Sequence, residues 1–298
     1  MKPVAKWSRR NLMKLGVMSA GIPMASSALL PRAEAAPIPG DKGGPHGAMA
    51  SLKSGLQMYY REDWLGAPWM DGEPAVFLHG ALENGDIWWG WVPRMAQRYR
   101  VYRPDLPGYG RSNAPTNFEW TPTNYAKVIS EFLDAIGVSS AHIIGAKTGG
   151  ALAMQFAASY PQRVRSLVVA SGPFGPVDSK MESAPMSLRL GTHASKEEMD
   201  YFEMLRQVTP AATKTGLRPM LTGLNLDNVL PQISARTLII TSDRSALQSV
   251  ETVVKYQPKI PNSRLLVLTS DAYHVAVANA DECVTNVLNF YDEAKRPA

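Results

Sequence analysis

Two residues of this 298-residue chain, Lys147 and His274, have side chains that suit chemistry at a carbonyl group. Lys147 lies at the centre of residues 145–149 (GAKTG), where a glycine stands two positions away on each side. A neutral lysine attacks aldehydes and ketones to form a Schiff base, whereas a protonated lysine binds a carboxylate or stabilises an oxyanion. His274 has a side chain that gains and loses a proton near neutral pH. Together they predict a reactive site without a hydroxyl nucleophile.

The residues around Lys147 predict a strand, a sharp turn and a helix. A β-branched run at 141–144 precedes the turn, and an alanine-rich stretch at 149–160 follows it. Through most of the remaining chain, short apolar runs alternate with amphipathic stretches of helical length. Alternation of this kind is typical of a mostly parallel central sheet with helices on both faces. The predicted fold class is therefore α/β.

This layout resembles the nucleophile elbow of the α/β-hydrolases, a Gly-x-Ser-x-Gly turn in which the serine performs the attack. Lys147 stands at the position of that serine. Further segments resemble landmarks of the same family and follow the family's order along the chain: residues 75–81 (AVFLHGA), 103–112 (RPDLPGYGRS), 235–240 (ARTLII) and 270–274 (SDAYH). The resemblance covers roughly residues 55–295, and it implies an α/β-hydrolase fold in which the reacting atom has been changed.

The resemblance also implies a role for individual residues near the elbow. The backbone N–H groups of Ala81 and Thr148 correspond to the family's oxyanion hole, and His274 corresponds to its catalytic histidine. Asp243 is the favoured acid for orienting that histidine, although it stands two residues before the position that the family uses. Asp178, after the sixth strand, is a second candidate, because some members of the family place their acid there.

An elbow of this kind would act on the charge of Lys147. The amine would lie at the start of a helix, face the two oxyanion-hole N–H groups and be covered by a cap. All three features disfavour an ammonium ion, so we expect the pKa of Lys147 to fall. A neutral amine would form a Schiff base, whereas a protonated one would act electrostatically while His274 activates water. The electrostatic role is preferred, because an oxyanion hole suits developing negative charge.

Residues 171–234 interrupt the alternation of strands and helices. They contain no apolar strand, but they include helix-like stretches at 196–208 and 211–221. This segment resembles the cap that the family inserts after strand 6, so we expect it to shape substrate choice.

Several aromatic residues and a second histidine lie near the predicted site in the sequence. Trp88, Trp89, Trp91 and Tyr109 could line an apolar pocket, although aromatic residues at this density more often belong to the core or an interface. His79, in the His-Gly turn, is interpreted as a structural hydrogen-bonding group rather than a catalytic one.

The first 36 residues have the features of an export signal. Arg9 and Arg10 lie in residues 8–14 (SRRNLMK), which resemble the twin-arginine signal, and an apolar stretch and small residues follow. Six basic residues and one acidic residue in this segment account for the whole net charge of +5. We expect cleavage near Ala36, no permanent membrane anchor and release into the periplasm or medium. A flexible N-terminus at 37–50 and a domain at 51–298 would then form the mature protein.

These features predict an exported enzyme that hydrolyses, or cleaves next to a carbonyl, a small ester, lactone or carbonyl compound. Its expected partners are a small-molecule substrate and, during export, the twin-arginine translocase. The mature part has equal numbers of acidic and basic residues, which argues against a nucleic-acid partner. No ligand cluster or nucleotide fingerprint indicates a metal or organic cofactor. The alternative function is a catalytically inactive protein that binds a ligand in the same pocket.

Overall fold

The computed structural model describes residues 47–178, 181 and 183–295. The predicted signal peptide and the predicted mature N-terminus up to residue 46 lie outside the described residues. In contrast to the flexible segment expected up to residue 50, Gly47–Ser51 forms strand β1. It pairs in antiparallel register with β2, Gln57–Asp63, and Ala50 is buried against the core. Backbone pairing and this buried side chain explain why the segment is ordered.

The described strands form one eight-stranded sheet in the order β1-β2-β4-β3-β5-β6-β7-β8. Strand β2 is antiparallel to β1 and β4, and every pair from β4 through β8 is parallel. The strands after β2 are β3 Glu73–Leu78, β4 Tyr99–Pro104, β5 Ala141–Ala146, β6 Val164–Ala170, β7 Thr237–Ser242 and β8 Ser263–Leu268. The parallel strands bring their carboxyl ends to one edge of the sheet, where the candidate site lies.

Helices cover both faces of this sheet. They are α1 Val92–Met95, α2 Pro122–Ala135, α3 Thr148–Ser159, α4 Met186–Leu190, α5 Lys196–Val208, α6 Ala211–Thr222, α7 Val250–Tyr256, α8 Val275–Ala278 and α9 Ala280–Glu293. Along β3, Val76 and Leu78 join one apolar core with α2 and α3, whereas Ala75 and Phe77 join a second core with α9. Because side chains alternate across a strand, these two cores lie on opposite faces, which confirms the predicted α/β class. Among the described residues, no helix has the length and apolarity that crossing a bilayer requires.

The tryptophans near the site belong mainly to the second core. Trp88 and Trp91 are fully buried, and both pack edge-on against Phe77. The Trp91 indole N–H also donates a hydrogen bond of 2.7 Å to the carbonyl oxygen of Ala276. Trp89 is partly exposed and packs on Phe202 of α5. Trp88 and Trp91 therefore fill the core, and they do not line an apolar pocket.

The turn between β5 and α3 depends on close backbone contact. Lys147 has φ 50° and ψ −124°, a conformation that costs on the order of 1–3 kcal/mol. A Cβ atom on Gly149 would lie 2.3 Å from the carbonyl oxygen of Leu78 and 2.4 Å from that of His79. Only glycine therefore allows the His-Gly turn to pass this close to the start of α3. The turn places the Lys147 side chain beside that loop, at the carboxyl edge of the sheet.

The cap lies between β6 and β7, as expected. In the described part of residues 171–236, the regular elements are helices and no strand. Helix α5 spans the predicted range, and Ser195 begins it with a capping box that includes Glu198. Helix α6 is docked on the domain because Thr213 Oγ1 donates a hydrogen bond of 3.0 Å to the carbonyl oxygen of Gly108. The cap therefore has a defined position above the elbow.

His79 has the structural role that the sequence indicates. It is fully buried, its Nε2 accepts a hydrogen bond of 2.9 Å from the Leu106 backbone, and its Nδ1 lies 2.7 Å from the Gly80 carbonyl oxygen. One neutral tautomer satisfies both contacts, with Nδ1 as the donor. Burial lowers the pKa of His79 to about 4. This side chain therefore joins the His-Gly turn to the loop after β4 in its uncharged form.

The depressed pKa of His79 predicts that the fold weakens in acid. Below pH about 6.5 the unfolded chain binds a proton that the folded protein excludes until pH about 4. The stabilisation is therefore complete above pH about 6.5, and about 3 kcal/mol is lost as the pH falls to about 4. Urea unfolding at several pH values should show that the free energy of unfolding depends less steeply on pH for His79→Gln than for the wild type. Equal slopes for both proteins would contradict this assignment.

Candidate active site

Lys147 is buried at the elbow, where it forms an ion pair with Glu83. The side chains of Lys147 and Glu83 are 9% and 1% exposed, respectively. The other carboxylate oxygen of Glu83, Oε2, accepts a hydrogen bond of 3.0 Å from the backbone N–H of Gly80. The loop that begins with the His-Gly turn therefore supplies both the counterion of Lys147 and a donor that holds it in place.

His274 contacts the same carboxylate. Its Nε2 lies 3.2 Å from Oε1 of Glu83, the oxygen that also pairs with Lys147, in a contact that lacks hydrogen-bond alignment. Its Nδ1 has no hydrogen-bond partner among the described residues. Its backbone N–H donates a hydrogen bond of 2.7 Å to the carbonyl oxygen of Arg189 in α4. Glu83 thus stands between the elbow side chain and the histidine.

Burial and mutual attraction set the charges of this cluster. Burial lowers the pKa of Lys147, as expected, and the Glu83 carboxylate opposes that shift. Burial alone would raise the pKa of Glu83, but Lys147 and His274 outweigh it and hold that pKa well below its usual range. Burial also lowers the pKa of His274, again opposed by Glu83. The contact between Lys147 and Glu83 favours an ammonium–carboxylate ion pair, and burial favours the neutral form of the His274 imidazole.

Ala81 and Thr148 are the residues of the predicted oxyanion hole. Both residues line the same cavity as Lys147. Neither backbone N–H has a hydrogen-bond partner within the described ranges. Thr148 begins α3, so its N–H also carries the partial positive charge of a helix N-terminus. These two amides can donate hydrogen bonds to a carbonyl oxygen next to Lys147, and they remain the predicted oxyanion hole.

A cavity of about 570 Å³ lies between the elbow and the cap. Ala81, Lys147 and Thr148 line it on the side of the sheet, and Leu217 and Leu221 of α6 line it on the side of the cap. This volume is in the usual range for sites that bind small molecules. The cavity therefore has the size and position of a substrate site.

A small recess adjoins the cavity beside the histidine. Its volume is about 10 Å³, and Glu83, Lys147 and His274 are among the residues that line it. Roughly this volume is needed to hold a single water molecule between polar groups. The recess could therefore place one water molecule next to the imidazole.

The structure does not bring Asp243 to His274. The Asp243 carboxylate accepts a hydrogen bond of 2.9 Å from the backbone N–H of Ser270 and lies 3.4 Å from Nε of Arg244. Its side chain is 37% exposed. Asp243 directly follows β7, and its side chain contacts the loop after β8 at Ser270 instead of the His274 ring. Asp178 is exposed and does not hydrogen-bond to the His274 ring either.

Sequence reasoning missed Glu83 and Arg189. Glu83 is the fourth residue after His79, in a loop where only backbone donors were expected to act. The available signal was chemical: a lysine buried at an elbow requires a counterion, and Glu83 is the nearest acidic residue in the adjacent loop. Arg189 lies in the cap, and its buried side chain adds positive charge next to the cluster. No spacing in the sequence links it to Lys147.

Comparisons with known proteins agree with this architecture. Residues 74–192 match the family model described as alpha/beta hydrolase fold. A pimeloyl-[acyl-carrier protein] methyl ester esterase of Aeromonas hydrophila is 41% identical over 103 residues, which are 34% of this chain and 39% of the esterase. A 2-hydroxy-6-oxo-6-phenylhexa-2,4-dienoate hydrolase of Burkholderia cepacia is 34% identical over 119 residues, 39% of this chain and 41% of that enzyme. The matched part thus spans about two fifths of each of these relatives.

A solved structure extends the likeness over most of the chain. The crystal structure of a bacterial membrane phospholipase A superimposes with a TM-score of 0.72 at 21% identity, over 84% of this chain and 87% of the phospholipase. The similarity of fold therefore extends well beyond the segment that matches the family model. The protein has the alpha/beta hydrolase fold, with Lys147 at the turn between β5 and α3.

Proposed function

We propose that this protein is an exported enzyme that hydrolyses an ester, lactone or related carbonyl bond of a small organic molecule without a serine nucleophile. The observation that supports the proposal is the buried cluster of Lys147, Glu83 and His274 next to two unpaired backbone amides. The relatives that match the chain are hydrolases of esters and other small substrates, which agrees with this class of reaction.

The cost of the cluster argues against a decayed site. Placing an ammonium ion and a carboxylate in a protein interior costs several kcal/mol per ion before their attraction is counted. Apolar residues of similar size would fill the space at lower cost. A buried, unaligned histidine and a strained elbow add further cost at the same place. Costly features that meet at one cavity are typical of a functional site.

The proposed mechanism uses water as the nucleophile. The substrate carbonyl oxygen accepts hydrogen bonds from the amides of Ala81 and Thr148, and the Lys147 ammonium adds positive charge next to it. Neutral His274 takes a proton from water, and the water oxygen forms a bond to the carbonyl carbon. The tetrahedral intermediate then breaks its bond to the leaving oxygen, which receives the proton from the imidazolium. An acid and an alcohol are released, and His274 is neutral again.

Glu83 has two functions in this scheme. It favours the protonated form of Lys147, because its carboxylate opposes the effect of burial on the lysine pKa. It also lies 3.2 Å from Nε2 of His274, where it stabilises the imidazolium that forms when water is deprotonated. Glu83 thus replaces part of the function of the acid in a conventional triad, from a different loop.

The alternative, a ligand-binding protein without catalysis, is favoured by one observation. Lys147 is already paired with Glu83, so its amine is not available as a nucleophile. The same cavity and the same amides would then bind a ligand without converting it. An enzyme should turn over a substrate and lose that turnover when His274 is replaced, whereas a binding protein should show no turnover in either form.

His274 is expected to be essential for turnover. Esters, lactones and β-dicarbonyl compounds would be incubated with the purified protein and followed by mass spectrometry. His274→Ala should reduce kcat/KM by about 10²-fold or more, whereas His193→Ala, an exposed histidine of the cap, should leave it unchanged. The acid limb of kcat/KM should lie below the ordinary histidine pKa, because burial lowers the pKa of His274. Unchanged turnover in His274→Ala would exclude the mechanism.

Lys147 is expected to act as a charge and not as a nucleophile. Borohydride added with a carbonyl substrate should give no adduct on the peptide that contains Lys147, because Glu83 favours the ammonium form. Lys147→Met should lose about 10²-fold or more of kcat/KM. The double variant Lys147→Met/Glu83→Gln, which leaves no buried charge unpaired, should also be inactive. A trapped adduct in the wild type would instead support Schiff-base chemistry.

We propose further that export follows the twin-arginine route. The support is Arg9 and Arg10 ahead of an apolar stretch and a small-residue site near Ala36, all outside the described residues. Replacing both arginines with lysine should leave the uncleaved precursor in the cytoplasm, as seen by immunoblotting of cell fractions. Undiminished export of this variant would exclude the twin-arginine translocase as the partner.

A further inference from the structure

Two adjacent residues at the end of β7 contact the loop that carries His274. Ser242 is the last residue of β7, and Asp243 follows it. The Ser242 hydroxyl donates a hydrogen bond of 2.6 Å to the carbonyl oxygen of Ala272. The Asp243 carboxylate accepts a hydrogen bond of 2.9 Å from the backbone N–H of Ser270. The end of β7 thus holds the histidine loop at two positions of its main chain.

These contacts continue the pairing of β7 with β8 beyond the ends of both strands. Ser242 is paired in parallel register with Leu268, the last residue of β8. The backbone N–H of Asp243 donates a hydrogen bond of 2.9 Å to the carbonyl oxygen of Leu268. The main chain is therefore held at residues 268, 270 and 272, which are every second position. His274 is the next residue in this series, and its own N–H bonds to α4 of the cap.

The position of the His274 ring depends on this main chain. Neither ring nitrogen has an aligned hydrogen-bond partner among the described residues. Phe202 packs edge-on against the ring with centroids 5.6 Å apart, and Glu83 Oε1 lies 3.2 Å from Nε2. In a conventional triad, a hydrogen bond from Nδ1 to an acid fixes the orientation of the ring. Here the backbone of the loop determines where the imidazole lies relative to Glu83.

The two contacts differ in how easily they can be replaced. Ser242 and Ala272 are each 1% exposed, so the Ala272 carbonyl oxygen has little access to water. Without the hydroxyl, this oxygen must move to another donor, and the loop moves with it. Asp243 is 37% exposed, and its contact requires only an acceptor oxygen. A side-chain amide at this position offers the same acceptor without the charge.

We propose that Ser242 and Asp243 are positioning residues for His274, which place the imidazole through the main chain of its loop. They contact that main chain and not the ring, so Asp243 does not act as the acid of a triad. The proposal rests on the proposed function only in taking His274 as the base. Its test therefore includes a measurement that does not require a substrate.

NMR of the protein with ¹³C-labelled histidine reports the surroundings of each ring. His274→Gln identifies the His274 signal by its disappearance, and the buried His79 and His142 report whether the fold is intact. Ser242→Ala and Asp243→Ala should each shift or broaden the His274 signal and leave the other two in place. Asp243→Asn should keep it at the wild-type position, because the amide oxygen still accepts the backbone hydrogen bond.

Turnover of the ester or lactone that the wild type hydrolyses fastest gives a second measurement. Ser242→Ala should lower kcat by about tenfold or more and change KM by less than about twofold, because the base is misplaced. Asp243→Asn should keep most of kcat, whereas a triad acid loses about 10⁴-fold on the same substitution. The control is Ser245→Ala, whose wild-type hydroxyl accepts hydrogen bonds from its own loop, and it should match the wild type.

The outcomes separate this proposal from the proposed function. An unmoved His274 signal in Ser242→Ala would overturn the positioning role, and so would equal effects of Asp243→Asn and Asp243→Ala. The expected NMR changes without turnover of any compound would support the positioning role and refute the hydrolase. Turnover that is the same in Ser242→Ala and the wild type would refute the positioning role and leave the hydrolase standing.

Discussion

The ion pair between Lys147 and Glu83 is the interaction on which the site depends. A lysine at a buried elbow requires a counterion, and the adjacent loop provides one whose second oxygen is held by the Gly80 amide. Because Glu83 also contacts His274, the carboxylate opposes the effect of burial on the pKa of both side chains. Removing it would leave an uncompensated ammonium in the interior, a change that typically costs about 3–5 kcal/mol. The Glu83 side chain therefore affects both the stability of the fold and the charges within the site.

The backbone around this ion pair does not depend on the residue at position 147. Gly149 allows the start of α3 to touch the His-Gly turn, and His79 ties that turn to the loop after β4. These contacts involve main-chain atoms and a neutral imidazole, so they are compatible with a serine or a lysine at the elbow. The fold can thus keep its strand-turn-helix geometry while the reactive group changes.

Sequence reasoning identified the features that depend on local pattern. The alternation around Lys147 predicted β5 and α3, and the polar and apolar spacing of residues 196–208 predicted helix α5. Sequence reasoning did not predict the side-chain contacts that residues in loops make. The order of residues along the chain favours Asp243 as the acid, but its carboxylate accepts a hydrogen bond from the backbone of Ser270. Glu83 was overlooked because a single acid in a loop has no periodicity to reveal that it is buried.

The hydrogen bond between the backbone of His274 and the carbonyl oxygen of Arg189 joins the histidine loop to α4 of the cap. Any displacement of α4 away from the sheet must break this 2.7 Å bond or pull His274 with it. Widening the cavity at α4 is thus coupled to the position of the His274 backbone. A bulky molecule that pushed α4 outward would therefore change the position of His274 relative to Glu83 or break the hydrogen bond to Arg189.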